Sequence, residues 1–273
     1  MAFKNTATAI LFFSLVCAPA FGQSTTTVRA GLDAVERSDF GAAVNHFRRA
    51  SDDGDPVGQY NLGLLYDAGK GVRRDATEAA KWFGLAAAQG HTSAQYNLGV
   101  LYLEGRGVGQ DDLRARQLFI AAADKGDAMA QYNLGLMALD GRGGKLDVAA
   151  GVRWLRQAAD QDDPEAQVRL GLLHESGDGV RQDIVEAARL FRLAAQVGEP
   201  TGQSNLGRAY ATGSGVTQDL IEAYKWTGLA SAAGLEAATR NLKRLRGVMT
   251  ASEIREAELR IGRWSPSGNR RPR

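Results

Sequence analysis

Apolar positions along this chain recur at helical spacing. In the stretch 91–104, Leu98, Leu101 and Tyr102 stand at i, i+3 and i+4 and define one face of a helix. In the stretch 76–88, Ala79, Trp82, Phe83, Ala86 and Ala87 carry that spacing to i+7 and i+8, a core-facing stripe in which small and large side chains alternate. The two stripes then repeat with a period of 36 residues. Leu62, Leu98, Leu134, Leu170 and Leu206 are each followed by a glycine, at Gly63, Gly99, Gly135, Gly171 and Gly207. A Gly-x-Gly pair keeps the same step from Gly69/Gly71 to Gly213/Gly215, as do Asp75, Asp111, Asp147, Asp183 and Asp219. Nothing is inserted or deleted over these five copies. A fixed period of this length marks a stack of supersecondary units, each buried against its neighbours. The fold class this predicts is all-α: a solenoid of helix-hairpin repeats.

One unit reads as two helices with two stops. The first helix ends at the leading glycine of the Gly-x-Gly pair, where a left-handed residue closes a helix cheaply. The aspartate that follows is an N-cap. In three copies a glutamate stands three residues later (Asp75/Glu78, Asp183/Glu186, Asp219/Glu222), resembling a capping box. The second helix stops at Gly90, Gly126, Gly198 and Gly234, with Asp162 in that place in the third unit. A glycine such as Gly99 inside a helix costs roughly 1 kcal/mol against alanine. Its repetition implies that the partner helix comes too close for a side chain. Val108 is expected to anchor the turn in the core. Trp82, Leu118, Trp154, Leu190 and Trp226 share one position and are expected between helices.

Full units run over 55–90, 91–126, 127–162, 163–198 and 199–234, after a shortened first repeat at 28–54 whose loop contracts to Arg37-Ser38. Residues 235–264 carry two further apolar stripes and a Thr250-to-Glu253 capping box, with Met249 placed to staple onto Ile254. They suit the end cap that a repeat stack requires. Residues 265–273 form a Pro/Gly/Ser- and Arg-rich tail expected to be disordered.

Composition changes the picture at the N-terminus. Lys4 precedes an apolar run from Ala9 to Ala20, with small residues at Ala20 and Gly22. Residues 1–22 therefore read as a cleavable signal peptide, too short for a membrane span of about 20 apolar residues. The expected location is periplasmic or secreted, with no integral membrane segment once the signal is removed. Cys17, the only cysteine, falls inside that segment, so helix packing alone must hold the mature chain. The formal charge is +2, and it becomes slightly negative without Lys4 and the tail arginines, which gives no electrostatic footprint for nucleic acid.

Candidate chemistry is sparse. The Gly-x-Gly pairs join two helices rather than a strand and a helix, so they are turns and not phosphate loops. His46, His91 and His174 lie on different units without metal-ligand spacing, and there is no G-x-S-x-G or H-E-x-x-H. No cofactor, metal site or catalytic residue is expected, and the chain reads as a non-enzyme. The recurrent polar feature is a Tyr-Asn pair on successive first helices, at Tyr60/Asn61, Tyr96/Asn97 and Tyr132/Asn133. The fourth unit departs from it with Val168, Arg169 and His174, and Asn205 resumes the asparagine row. The pair either lines one wall of the stack or completes the core between repeats.

The stretch AQYNLGVLYLEGRGV, followed by an acidic cap and an A-x-x-L/W-F/L-x-x-AA helix, resembles the Sel-one-like repeat (SLR) family, a relative of the tetratricopeptide repeat. The resemblance is strong over 55–234 and weak over 28–54, and the closing helices resemble those of exported bacterial members. It implies a right-handed α/α solenoid and a non-catalytic adaptor or regulator in the bacterial envelope. Alternatives are a sensor of a small molecule or glycan, and a cell-wall or β-lactam-acting enzyme. The last belongs to cysteine-rich members, whose paired cysteines this chain lacks. By analogy with tetratricopeptide repeats, Tyr60, Asn61, Tyr96, Asn97, Tyr132, Asn133, Arg169 and Asn205 are expected to border a concave groove. The asparagines would there hydrogen-bond a peptide backbone. The implied partner is a protein or peptide segment, not nucleic acid, bound by a monomer.

Overall fold

An acidic side chain opens nearly every helix of this protein, and the helix boundaries follow from it. The computed structural model describes residues 24–267. The signal-peptide assignment and the last residues of the basic tail lie outside them. Two compact units divide at Leu146/Asp147. The first contains α1 (Ser24–Glu36), α2 (Phe40–Asp52), α3 (Pro56–Ala68), α4 (Ala76–Ala88), α5 (Thr92–Glu104), α6 (Asp112–Ala123) and α7 (Ala128–Asp140). The second contains α8 (Val148–Ala159), α9 (Pro164–Ser176), α10 (Ile184–Gln196), α11 (Pro200–Thr212), α12 (Leu220–Ala232), α13 (Glu236–Arg246) and α14 (Ala251–Arg263). There is no strand among the described residues. Within each unit consecutive helices pack on one another as far as α13, and α14 packs on α12, so the fold is an all-α stack of helix hairpins.

Asp75, Asp111, Asp147, Asp183 and Asp219 each accept from backbone N–H groups in the first turn of the second helix. Asp39 does the same for α2. Asp55, Asp127 and Asp163 cap first helices, and His91 and Glu199 take that place at α5 and α11. One local expectation is corrected. The glutamate three residues after the cap does not reach back to close a box. Glu78 and Glu222 turn forward and accept the indole N–H of Trp82 at 3.1 Å and of Trp226 at 2.9 Å. A half-buried indole donor needs an acceptor, and the turn below supplies one. Glu186, with a leucine at that position, is forked by Arg189 instead. The complete box is at Thr250/Glu253, and Met249 there packs in one cluster with Ile254.

The recurrent helical glycines are where second helices approach. A Cβ on Gly63 would stand 2.7 Å from the Phe83 ring, and on Gly99 2.7 Å from Phe119. Gly171 meets Phe191 and Gly31 meets Phe47 in the same way. The second glycine of each Gly-x-Gly pair has a different duty that the repeat pattern does not reveal. Gly71, Gly107, Gly143 and Gly215 press onto the backbone carbonyls of Phe40, Ala76, Asp112 and Ile184, and Gly179 presses onto the Val148 side chain. Each of these is the start of the preceding repeat's second helix. The loop is therefore seated on its neighbour. Arginines at the middle position reinforce the seat, Arg106 on Asp67 and Arg142 on Asp112, both at 2.7 Å.

The shared tryptophan/leucine position is less uniform than its register suggests. Leu190 and Trp226 are buried, whereas Trp82, Leu118 and Trp154 are half-buried. After α14 the chain returns to α10: the Ser267 N–H and hydroxyl both donate to the Gln196 carbonyl at 2.8 Å, and Trp264 stands edge-on to Trp226 at 6.2 Å. Ser267, in the stretch read from sequence as a disordered tail, is thus bonded to the end of α10.

Candidate binding surface

The first helices position the candidate residues, and these helices are buried on more than one side. In α7 every residue from Ala130 to Met137 is buried. A helix with no wide polar face turns few side chains fully outward.

Tyr60, on α3, is half-buried. Its ring lies 5.9 Å from Phe83 and stacks on the His91 imidazole at 4.5 Å, with 23° between planes. The Asn97 and Ser93 side chains lie near its hydroxyl, and burial pushes the phenol up from its usual range. Asn61 is buried and donates to the carbonyl of Val57, one turn back in its own helix, at 2.8 Å. Tyr96 is 1% exposed, its ring tilted against Phe119 at 5.7 Å. Tyr132 is buried, and Asn133 is 0% exposed with neither amide atom hydrogen-bonded among the described residues. Arg169 is half-buried on α9. Asn205 is half-buried on α11 and accepts from Arg208, whose guanidinium forks Glu175 at 2.8 and 2.7 Å.

The eight residues therefore split. Tyr96, Tyr132, Asn61 and Asn133 lie inside, with no surface to offer a partner in this conformation. Tyr60, Asn97, Arg169 and Asn205 keep an accessible part. Tyr60 is held by the Phe83 and His91 rings and Asn205 by Arg208, so these are not free side chains.

A polar row that composition and periodicity both carried, yet sequence reading passed over, lies beside this ladder. Gln59, Gln95, Gln131, Gln167 and Gln203 are 36 residues apart and all buried. In four of them Nε2 donates to an alanine carbonyl eight residues earlier, at the end of the preceding second helix: Ala87, Ala123, Ala159 and Ala195, at 3.2–3.4 Å. Gln89 donates to the fifth, at Gln59 Oε1, over 2.8 Å. Lys125 spans both Gly90 O at 2.6 Å and Gln95 Oε1 at 3.3 Å. Buried polar groups that are fully paired fix a unique packing. This row locks each repeat to the one before it. The signal was present: a glutamine recurring with the glycines.

No helix among the described residues is long and apolar enough to cross a membrane. Among them no group of three or more His, Cys, Asp or Glu side chains is placed to hold a metal ion.

The comparisons agree with this geometry. Two solved structures with the same architecture are similar to the chain. One is a protective antigen of uropathogenic Escherichia coli strains displaying an SLR fold, with 30% identity and a TM-score of 0.80 over 86% of this chain and 52% of that one. The other is a Sel1 repeat protein from Oxalobacter formigenes, with 26% identity and a TM-score of 0.76 over 88% of this chain and 97% of that one. The chain spans about half the length of the Escherichia coli protein. No curated protein matches it. The Sel1 repeat itself is matched six times, at 29–55, 56–91, 92–127, 128–163, 164–199 and 200–235. With these copies covering most of its length, the chain belongs to the Sel1 repeat family.

Proposed function

We propose that this Sel1 repeat scaffold is a non-catalytic adaptor or regulator, exported through residues 1–22, that binds a protein or peptide segment in the bacterial envelope. The observation that carries the reading is the locking of successive repeats. Within each unit, buried glutamines, seated loop glycines and Arg–Asp pairs hold successive helix hairpins together, so the wall of each unit is preformed. A preformed wall loses little ordering entropy on binding.

The binding positions supported best are the accessible members of the Tyr-Asn ladder and its continuation, taken unit by unit. In the first unit these are Tyr60 and Asn97. In the second they are Arg169 and Asn205. The test is affinity capture with crosslinking from envelope extract, using the whole chain and an Asn97→Ala/Asn205→Ala variant. A partner captured by the parent and lost by the variant, at unchanged melting temperature, supports the reading. A partner retained by the variant moves the binding surface elsewhere. An export-dependent reporter fused after residue 27 that stays inactive removes the envelope assignment.

A further inference from the structure

The fourth full repeat lacks a side-chain pairing that is present at two other junctions between helix hairpins. In the first unit, Arg48 Nη2 donates to the Tyr66 hydroxyl at 3.0 Å. In the second unit, Arg192 Nη2 donates to the Tyr210 hydroxyl at 3.3 Å. In both pairs the arginine lies on a second helix and the tyrosine lies 18 residues later, on the next first helix. Arg156 on α8 occupies the same repeat position as Arg48 and Arg192, and the residue 18 further on is His174. An imidazole is shorter than a phenol and brings no hydroxyl to that spot.

Two features lie there. A cavity of about 710 Å³ lies beside His174, lined by Arg156, His174, Arg181 and Asp183, with Val152 and Ile184 as apolar walls. His174 Nδ1 is buried there without a hydrogen-bond partner. Neither guanidinium, of Arg156 or of Arg181, forms a side-chain hydrogen bond or ion pair among the described residues. The local carboxylates are already engaged. Asp183 accepts from the Val185 and Glu186 N–H groups, and Glu186 is forked by Arg189, which holds its carboxyl below the usual range. Two uncommitted guanidinium forks lining one cavity make a receptor for a planar, bidentate anion.

We propose that this cavity binds a carboxylate, presented by a glutamate or aspartate side chain of an acidic peptide segment. The guanidiniums of Arg156 and Arg181 take the two oxygens, and Val152 and Ile184 cover the methylene stem. This rests on the scaffold reading and names the chemistry of the segment bound.

The decisive variant is His174→Tyr. It restores the residue present at 66, 102 and 210, narrows the cavity beside Arg156, brings a hydroxyl to that guanidinium, and removes no arginine. The probe is a fluorescein-labelled peptide of alternating Glu and Ala, with its Gln counterpart, titrated into the whole chain and followed by anisotropy. Binding of the Glu peptide should be at least tenfold tighter than binding of the Gln peptide. It should fall at least tenfold in His174→Tyr and in Arg156→Ala/Arg181→Ala, with melting temperatures unchanged for the former. Free glutamate should displace the peptide at lower concentration than inorganic phosphate. Equal affinity for the two peptides, full binding by His174→Tyr, or stronger displacement by phosphate would each overturn the proposal. The two readings fail separately. A partner captured from the envelope with equal affinity by His174→Tyr removes this pocket and leaves the scaffold standing. Binding of the Glu peptide without any captured partner does the reverse.

Discussion

The ring of Tyr60 stacks on the imidazole of His91, and that imidazole caps α5 by accepting the Ala94 N–H at its Nδ1, 3.3 Å away. Aspartate does this work at Asp55, Asp127 and Asp163. Only histidine loses its acceptor when it takes up a proton. Burial holds the His91 imidazole below the usual histidine range. A depressed folded value means that the unfolded chain binds the proton first. The stability tied to the neutral ring is therefore complete above the ordinary histidine value of 6.5 and is lost as pH falls through the folded value. Thermal melts of the parent should decline from pH 7 toward pH 5. His91→Asp should keep the cap and flatten that decline. Parallel curves for the two proteins would show that the imidazole is not responsible.

Two helical glycines make opposite predictions. A methyl on Gly99 meets the fully buried Phe119 ring, whereas a methyl on Gly84 in α4 meets nothing within 4 Å. Gly99→Ala should destabilise by about 1–3 kcal/mol through overpacking. Gly84→Ala should stabilise by about 0.5–1 kcal/mol through helix propensity and a less free unfolded chain. Urea unfolding of both variants against the parent decides it. Equal effects would mean that the Gly99 side of α5 has room to shift.

Trp226 and Trp154 share a repeat position but not an environment. Trp226 is 6% exposed, donates to Glu222 and meets the edge of Trp264, while Trp154 is half-buried. Trp226→Ala should cost about 3–5 kcal/mol by leaving a cavity, and Trp154→Ala should cost clearly less. The comparison is again a pair of denaturation curves. A larger loss at Trp154 would contradict the packing described for α12 and α14.

The skeleton was legible because a steric demand that recurs writes itself into the chain at a constant interval. Gly63 and Gly99 could be read as close approaches before Phe83 and Phe119 were known to be the neighbours. Asp162 was legible for the same reason: it stands where four other units have glycine, and its φ is 62°. Direction was harder. Glu78 can satisfy either the cap behind it or the indole ahead of it, and spacing supports both. The Tyr-Asn ladder stayed open between wall and core because a tyrosine looks amphipathic in sequence. Its burial depends on how completely the flanking helices enclose α5 and α7. The correspondence of Arg156 and His174 with the pairs Arg48/Tyr66 and Arg192/Tyr210 was invisible from within one unit, since it relates the second helix of one repeat to the first helix of the next.

The loop glycines that rest on the preceding repeat have a genetic consequence. Each such contact runs over one constant interval, 31 residues from glycine to carbonyl, as Phe40 to Gly71 and Ala76 to Gly107 show. The glutamine bonds run over a constant interval of eight. Recombination that removes or adds one whole period inside a unit therefore rejoins halves that already fit, wherever the crossover falls. A slip of one residue instead drives a side chain into the Ala76 or Asp112 carbonyl, where only glycine is accommodated. Such a gene can change the length of its product in single steps of 36 codons without inventing a new interface.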